Sequence, residues 1–201
     1  MTNMNPTPIF PRTDEIPEKW RIAASIEQRH YLCDGELLEW TGPRSEVTSP
    51  VCEAIDGAIR RKVVGSYPLL GEPQALEALD AACKAFDHGR GAWPTMSVEE
   101  RIKHMQTFAT RMQEKRDDVV RLLMWEIGKS LSDSEKEFDR TIDYICQTID
   151  ALKDLDRISS RFVVEQGVIG QIRRAPLGEA LCMGPFNYPL NETFTTLIPA
   201  L

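Results

Sequence analysis

The sequence predicts an α/β fold, and three observations indicate it. Apolar residues recur at steps of three and four, the period of a helix, between residues 73 and 152. Short β-like runs flank this helical stretch, at residues 31–40 and again at 161–172. A compact apolar run at residues 179–183 ends directly in a Gly-Pro turn, as a buried strand does where it leads into a loop.

Composition narrows the class of protein. The chain has 201 residues, of which 42% are hydrophobic and 27% charged, a globular balance that allows a sizeable core. The formal charge of −7 leaves no basic excess for phosphates, so we expect no nucleic-acid partner. No uncharged run approaches the ~18 residues of a membrane span, so we expect no membrane association. Five scattered cysteines and three histidines without metal-ligand spacing predict a cytoplasmic protein with neither a disulfide framework nor a metal.

The first part of the chain is predicted as an extension followed by β structure. Residues 1–28 carry four prolines among polar residues, which indicates an extended arm or a draped segment. Asp34-Gly35 stands between two short β-like runs, and this dipeptide is a strong signal for a hairpin. Thr41-Gly-Pro-Arg44 is predicted as a second turn-rich stretch, and it leads to Ser49-Pro50.

Four helices are predicted in the middle of the chain. The first begins at Pro73 and ends before Gly89, and the third covers 117–127 before Gly128. Capping boxes at 97–100 and 132–135 predict the starts of the second and fourth helices. The fourth is the longest, and its predicted apolar face comprises Phe138, Ile142, Ile145, Ile149 and Leu152.

β structure returns after the fourth helix. Residues 161–166 and 168–172 are predicted as a two-stranded ribbon with a turn or bulge at Gly167. Residues 179–183 are predicted as a buried strand, and residues 189–201 as the start of a further helix. That last segment has no charge after Glu192 and no residue that usually closes a helix, so we expect the chain to be truncated.

The loop Gly184-Pro-Phe-Asn-Tyr-Pro189 carries the most specific chemical pattern. Its two prolines restrict the backbone, which can hold the Asn187 carboxamide in one orientation. A fixed NH₂ donor aimed at a developing oxyanion suits chemistry at a carbonyl. The alternative is a turn in which Asn187 caps its own backbone.

This loop and the preceding Ala175–Met183 closely resemble the oxyanion-asparagine segment of the aldehyde dehydrogenase superfamily. The resemblance covers roughly residues 30–201. It includes, in the family's order, the Asp34-Gly35 hairpin, Ser97-Val-Glu-Glu-Arg101, Glu126-Ile-Gly-Lys129 and the ribbon. It implies the start of a doubly wound, Rossmann-like sheet, with residues 29–160 and 175–201 in the cofactor-binding domain and 161–174 as an oligomerisation ribbon.

One branch of the superfamily is favoured by Glu137-Phe-Asp-Arg-Thr141 and by Tyr188 directly after Asn187. Both are similar to the NADP-dependent, non-phosphorylating glyceraldehyde-3-phosphate dehydrogenases, whose corresponding Arg and Tyr hold the substrate phosphate. The resemblance therefore implies that Arg140 and Tyr188 bind substrate. The alternative for Arg140 is a surface ion pair with Glu137, three positions earlier.

The resemblance also implies a mechanism and a cofactor. A cysteine thiolate attacks the aldehyde, hydride passes to NADP (NAD is possible), and a Glu-activated water hydrolyses the thioester. Asn187 donates to the oxyanion, and Met183, Gly184, Pro185 and Phe186 line the nicotinamide. The nucleophile and the base are expected beyond residue 201, so we expect the chain alone to be inactive. Cys182 is expected to be inert, because a thiol inside a buried strand is protonated.

The complete enzyme is expected to act on a small-molecule aldehyde and to form a homotetramer through the ribbon, which is marginal by itself. Two alternatives remain open from the sequence. One is an aldehyde dehydrogenase for an unphosphorylated or acyl substrate, and the other is a non-catalytic module that mediates assembly.

Overall fold

The computed structural model describes residues 9–201 and divides them into two compact units. The first unit contains residues up to 71 and 118–134, and the second contains 72–117 and 135–201. The elements, in chain order, are β1 Ile26–Glu27, β2 His30–Cys33, β3 Glu36–Glu39, β4 Arg44–Ile55, β5 Ala58–Pro68, α1 Glu72–Phe86, α2 Ala92–Thr95, α3 Val98–Gln113, α4 Arg116–Ile127, α5 Leu131–Ser159, β6 Val163–Glu165, β7 Val168–Gly170 and α6 Asn191–Ala200. The predicted α/β class is confirmed.

A three-stranded sheet of order β1-β5-β4 forms the main β structure of the first unit. Strands β4 and β5 are antiparallel and are joined at Asp56-Gly57, where both residues have positive φ. The predicted turn-rich stretch at residues 41–44 lies directly before β4, which begins at Arg44 and was not predicted. Pro50 fits inside this strand since the pairing register shifts between Thr48 and Cys52, and a bulge tolerates a residue without an N–H.

The Asp34-Gly35 hairpin is confirmed. Strands β2 and β3 pair from His30–Glu39 to Cys33–Glu36, so the connecting loop contains two residues. Asp34 and Gly35 have φ of 47° and 79°, the left-handed values that this short turn requires.

The core of the first unit joins the N-terminal segment to α4. Its buried members are Ile16, Ile22, Val64 and Trp125. The Trp125 indole N–H donates to the Trp20 carbonyl at 2.6 Å, which satisfies the polar edge of a buried ring. Residues 9–28 of the predicted extension thus contribute two core side chains, whereas residues 1–8 lie outside the described residues.

The predicted helices are confirmed, with one correction at a cap. Ser97 caps α3: its hydroxyl accepts the Glu100 N–H at 3.2 Å, and the Glu100 carboxylate accepts the Ser97 N–H at 3.2 Å. The prediction that Ser132 begins α5 is wrong. Ser130 caps this helix, since its hydroxyl accepts the Asp133 N–H at 3.1 Å, and Ser132 lies one residue inside.

The core of the second unit lies between α3, α5 and α6. It comprises Ile102, Ala109, Ile145, Ile149 and Ile198. The predicted apolar face of α5 is confirmed, with Phe138, Ile142, Ile145 and Ile149 buried and Leu152 partly buried against the cluster.

Residues 161–183 hold little regular structure. The ribbon forms as a hairpin of two three-residue strands, with Gln166-Gly167 at its turn. The predicted strand at 179–183 is wrong: these residues are in no strand, and Leu181 is 84% exposed. A strand forms only when a neighbour accepts its hydrogen bonds, and no strand of the described residues pairs with this segment.

Candidate active site

The Gly184–Pro189 loop runs directly into α6, and hydrogen bonds fix where it ends. The Tyr188 carbonyl accepts the Glu192 N–H at 3.2 Å, and the Leu190 carbonyl accepts the Phe194 N–H at 3.2 Å. The Thr193 hydroxyl donates to the Pro189 carbonyl at 2.6 Å. The second half of the loop is therefore continuous with the first turn of the helix.

A buried acid on α5 accepts hydrogen bonds from the start of α6. One Glu137 carboxylate oxygen accepts the Leu190 N–H at 3.2 Å and the Asn191 N–H at 3.3 Å. The first N–H groups of a helix have no partner within it, and the positive end of the helix dipole favours an anion there. Glu137 supplies both the acceptor and the charge, and is 3% exposed.

The loop's other end is held by close packing at Gly184. A Cβ at this position would lie 2.1 Å from the Thr193 hydroxyl oxygen and 3.0 Å from its backbone nitrogen. Only glycine allows this approach without displacing the first turn of α6. The loop is thus fixed on both sides by the same helix turn.

Asn187 lies at the middle of this loop. Its side chain is exposed, and none of the hydrogen bonds among residues 9–201 uses its carboxamide. The alternative in which Asn187 caps its own loop is therefore not realised. A rigid loop presents a free NH₂ donor outward, which is the arrangement that a donor to a reacting carbonyl oxygen requires.

Arg140 lies on the exposed side of α5, in the helix turn that approaches residues 190 and 191. The expected alternative, an ion pair with Glu137, does not form, and none of the ion pairs among residues 9–201 involves Arg140. Its neighbour Thr141 is buried and has its hydroxyl 3.4 Å from the Asn191 side-chain oxygen. Tyr188 is 45% exposed. Both predicted substrate-binding side chains are accessible to a ligand.

Two of the four predicted nicotinamide-lining residues are apolar side chains exposed to solvent. Met183 and Phe186 are both largely exposed, on either side of Gly184 and Pro185. Residues 183–201 contain no Lys or Arg, so this segment offers no cation for the cofactor's phosphates.

All five cysteines are free thiols. The expectation that burial makes Cys182 inert is wrong in its premise, since Cys182 is partly exposed in a segment without a strand. A hydrogen bond with the Glu179 carboxylate raises the pKa of Cys83, which reduces its thiolate fraction at neutral pH.

Residues 9–201 contain neither a cluster of metal-binding side chains nor a membrane-spanning helix. No group of three or more His, Cys, Asp or Glu side chains there is arranged to hold a metal ion. None of the helices there is long and apolar enough to span a membrane.

Three buried residues of the site were not predicted from the sequence to take part in it: Glu137, Thr141 and Asn191. A signal was available for the first two. Positions 137, 141 and 145 form one i, i+4 row on α5, and Ile145 belongs to the predicted apolar face. Polar residues that continue a buried row of a helix are expected to have buried partners.

Comparison with known proteins assigns the family. Residues 43–201 match the model of the aldehyde dehydrogenase family, and the chain belongs to it. A malonate-semialdehyde dehydrogenase from Bacillus cereus is 27% identical over 169 residues, which are 84% of this chain and 32% of that protein. The chain thus spans about a third of the length of the curated relatives it matches.

Solved structures agree with this assignment. The NADP-dependent glyceraldehyde-3-phosphate dehydrogenase of Bacillus halodurans, complexed with NADP, is 26% identical with a TM-score of 0.68, over 88% of this chain and 36% of that one. A double mutant of betaine aldehyde dehydrogenase from Staphylococcus aureus, in complex with NAD+, has a TM-score of 0.70 at 23% identity, over 86% of this chain and 32% of that one. The second match supports the fold alone.

Proposed function

We propose that this chain is the N-terminal part of an NAD(P)-dependent aldehyde dehydrogenase that oxidises glyceraldehyde 3-phosphate to 3-phosphoglycerate, with NADP as the preferred cofactor. The observation that carries the proposal is the exposed Asn187 carboxamide on a loop fixed at both ends. Membership of the aldehyde dehydrogenase family supports the reaction class.

In this reaction Asn187 acts on charge that develops during the chemical step. When a nucleophile adds to the aldehyde carbon, the carbonyl oxygen becomes an oxyanion, and the Asn187 NH₂ group donates to it. The donor is oriented before the reaction because the loop is fixed, so it needs no reorganisation as charge develops. The nicotinamide, when bound, supplies the hydride acceptor, and Met183, Gly184, Pro185 and Phe186 would hold its ring through apolar and backbone contacts.

Arg140 and Tyr188 support the phosphorylated substrate. The Arg140 guanidinium offers a planar set of donors that matches phosphate oxygens, and it is exposed without an ion pair within residues 9–201. The Tyr188 hydroxyl adds a further donor. The similarity to an NADP-dependent glyceraldehyde-3-phosphate dehydrogenase agrees with this assignment.

A second candidate substrate is an unphosphorylated aldehyde with a carboxylate, because the curated relatives include malonate-semialdehyde dehydrogenases. The same Arg140 guanidinium could bind a carboxylate. The two candidates differ in which substrate the enzyme prefers, and steady-state kinetics on each can separate them.

The test compares glyceraldehyde 3-phosphate, glyceraldehyde and malonate semialdehyde as substrates of the complete enzyme and of its Arg140→Ala variant. We expect the phosphorylated aldehyde to have the highest kcat/KM. Loss of one charge-assisted contact of ~1.5–3 kcal/mol should raise its KM in the variant, while turnover of glyceraldehyde stays almost unchanged. Lys136→Ala, a cation one helix turn earlier on the same face, is the matched control and should change neither.

Two results would contradict the phosphate assignment. If Arg140→Ala slows all three substrates equally, Arg140 is structural. If malonate semialdehyde has the highest kcat/KM and loses most in the variant, the second candidate is correct. The 201-residue chain by itself serves as a further control, and we expect it to form no NADPH, because the resemblance implies that the nucleophile and the base lie outside these residues.

A further inference from the structure

Glu137 contacts neither substrate nor cofactor in the proposed reaction, but it accepts hydrogen bonds from the residues that follow the Gly184–Pro189 loop. We propose that Glu137 is a positioning residue: by accepting the Leu190 and Asn191 N–H groups, it fixes the loop that carries Asn187. This inference rests on the proposed function, since it assumes that Asn187 donates to the oxyanion.

A carboxylate suits this position better than a neutral group. Two N–H donors converge on one Glu137 oxygen, and Asn191 is itself buried. Because Asn191 is buried, loss of this acceptor leaves its N–H without a partner. Glutamine has nearly the same shape as glutamate, yet it lacks the charge that the helix terminus favours and places an NH₂ group in the site.

The position of Leu190 affects the orientation of Asn187, because the chain between these two residues is short and restricted. Pro189 fixes one backbone dihedral, and the Tyr188 carbonyl is bonded to the Glu192 N–H at 3.2 Å. Gly184 holds the other end of the loop against Thr193. With both ends fixed, a shift at Leu190 changes the direction of the Asn187 carboxamide.

A second link joins the same two turns. The buried Thr141 hydroxyl donates to the Glu137 carbonyl at 2.7 Å and lies 3.4 Å from the Asn191 side-chain oxygen. Glu137 thus acts from a helix turn that is itself held against α6. A group displaced by an ångström from its reactive position can lose ~10² in rate.

The experiment compares Glu137→Gln, Asn187→Ala and the double variant in the complete enzyme. We expect Glu137→Gln to lower kcat by ~10–100-fold, while the KM for the aldehyde and the KM for NADP each change by less than about two-fold. The double variant should be no slower than Asn187→Ala, since Glu137 acts only through Asn187. Hydrogen exchange at the Leu190 and Asn191 amides should become faster in Glu137→Gln.

Two further variants complete the design. Glu137→Asp keeps the charge but is one methylene shorter, and should have a kcat between wild type and Glu137→Gln. Glu135→Gln is the matched control, because this acid lies on the same helix and faces Arg116 at 3.5 Å instead of the loop. It should change neither kcat nor exchange at residues 190 and 191.

An unchanged kcat in Glu137→Gln, unchanged amide exchange, or effects that multiply in the double variant would each overturn the proposal. Its failure is distinguishable from failure of the proposed function. If Asn187→Ala is as active as wild type while Glu137→Gln still speeds exchange, the oxyanion role of Asn187 is what fails. The contact between Glu137 and the loop then stands.

Discussion

Two adjacent stretches of the second unit, residues 161–183 and residues 184–200, differ in how they are held. In the first stretch, the hydrogen bonds of regular structure are those between β6 and β7, and apolar side chains such as Leu181 are exposed. In the second stretch, buried polar groups fix the backbone, with Glu137 and Asn191 at 3% and 7% exposure. Residues 161–183 therefore expose apolar side chains and have fewer hydrogen bonds to the rest of the unit than residues 184–200.

The difference shows what each stretch requires. A helix start needs acceptors for a few N–H groups, and Glu137 provides them from within the chain. A strand needs a neighbouring edge along its whole length, and an exposed apolar hairpin needs a cover. The predictions below test whether the supported stretch performs chemistry and the unsupported one serves assembly.

The largest expected effect is at Asn187 in the complete enzyme. Asn187→Ala removes a donor that matters most when the substrate oxygen carries negative charge. We expect kcat to fall by ~10²–10³ with little change in KM, measured by steady-state formation of NADPH. Asn187→Asp keeps the shape but lacks the NH₂ donor, and should lose at least as much. A raised KM at unchanged kcat would show instead that Asn187 binds the substrate in its ground state.

The next largest effect concerns the ribbon. Val164 and Ile169 are directly paired across β6 and β7, and both are exposed. We propose that the complete enzyme is a homotetramer in which another subunit covers this face. The double change Val164→Lys and Ile169→Lys would bury two charges there, so we expect a shift to smaller species, measured as solution mass by light scattering.

Ile59→Lys provides a control for the ribbon variant. Ile59 lies beside another two-residue turn, in β5, and is similarly exposed. An isolated surface change of this kind usually alters stability by less than ~0.5 kcal/mol, and it should leave the solution mass unchanged. A monomeric wild type at micromolar concentration, or an unchanged mass in the ribbon variant, would contradict the assembly proposal.

How far the sequence predicted the fold depended on whether a signal was local. The Asp34-Gly35 hairpin and the Ser97 capping box each rely on residues within four positions, and both were predicted correctly. Strand β4 was not predicted, although Asp56-Gly57 carries the same hairpin signal; its pairing with β5 has a register shift between Thr48 and Cys52, which no local pattern indicates. The strand at 179–183 failed for the opposite reason: its apolar pattern was clear, but pairing depends on other strands.

The candidate site shows the same limit. Gly184–Pro189 was identified from consecutive residues and from the family that they resemble, and the family assignment is confirmed. The contact between Glu137 and Leu190 joins residues 53 positions apart, so no local pattern could predict it. The alternative ion pair between Arg140 and Glu137 was predicted for the same reason, because a sequence indicates only partners that are close along the chain.

A smaller effect is expected where α5, the helix that carries Glu137, begins. Ser130→Ala removes the hydroxyl that accepts the Asp133 N–H, and should lower the free energy of unfolding by ~1 kcal/mol. Ser132→Ala is the matched control, because Ser132 lies inside the helix and a change there should be within ~0.5 kcal/mol of wild type. Urea unfolding measures both. A larger loss in the control would restore Ser132 as the cap.

The smallest effect concerns the ion pair that joins α4 to α5 in the second unit. The Arg116 guanidinium donates to both Asp139 carboxylate oxygens, at 2.8 and 2.9 Å, and these hydrogen bonds lower the pKa of Asp139. A lowered folded-state pKa stabilises the protein above the unfolded-state value, and this contribution is lost as the pH falls through the folded-state value. The side chain of Asp139 is 55% exposed, so solvent screening limits the contribution to ~0.5 kcal/mol.

Asp139→Asn should therefore lower the free energy of unfolding by ~0.5 kcal/mol at pH 7, and the difference from wild type should disappear as the pH falls through the lowered folded-state pKa of Asp139. Urea unfolding at several pH values measures it. Asp143→Asn, on the same helix one turn later and exposed, should show no such pH dependence. If the deficit of Asp139→Asn persists at low pH, it does not come from the ionised pair. In that case the ionised pair contributes nothing measurable to the support of α5, the helix that carries Glu137, and the buried apolar face of the helix and its Ser130 cap provide that support.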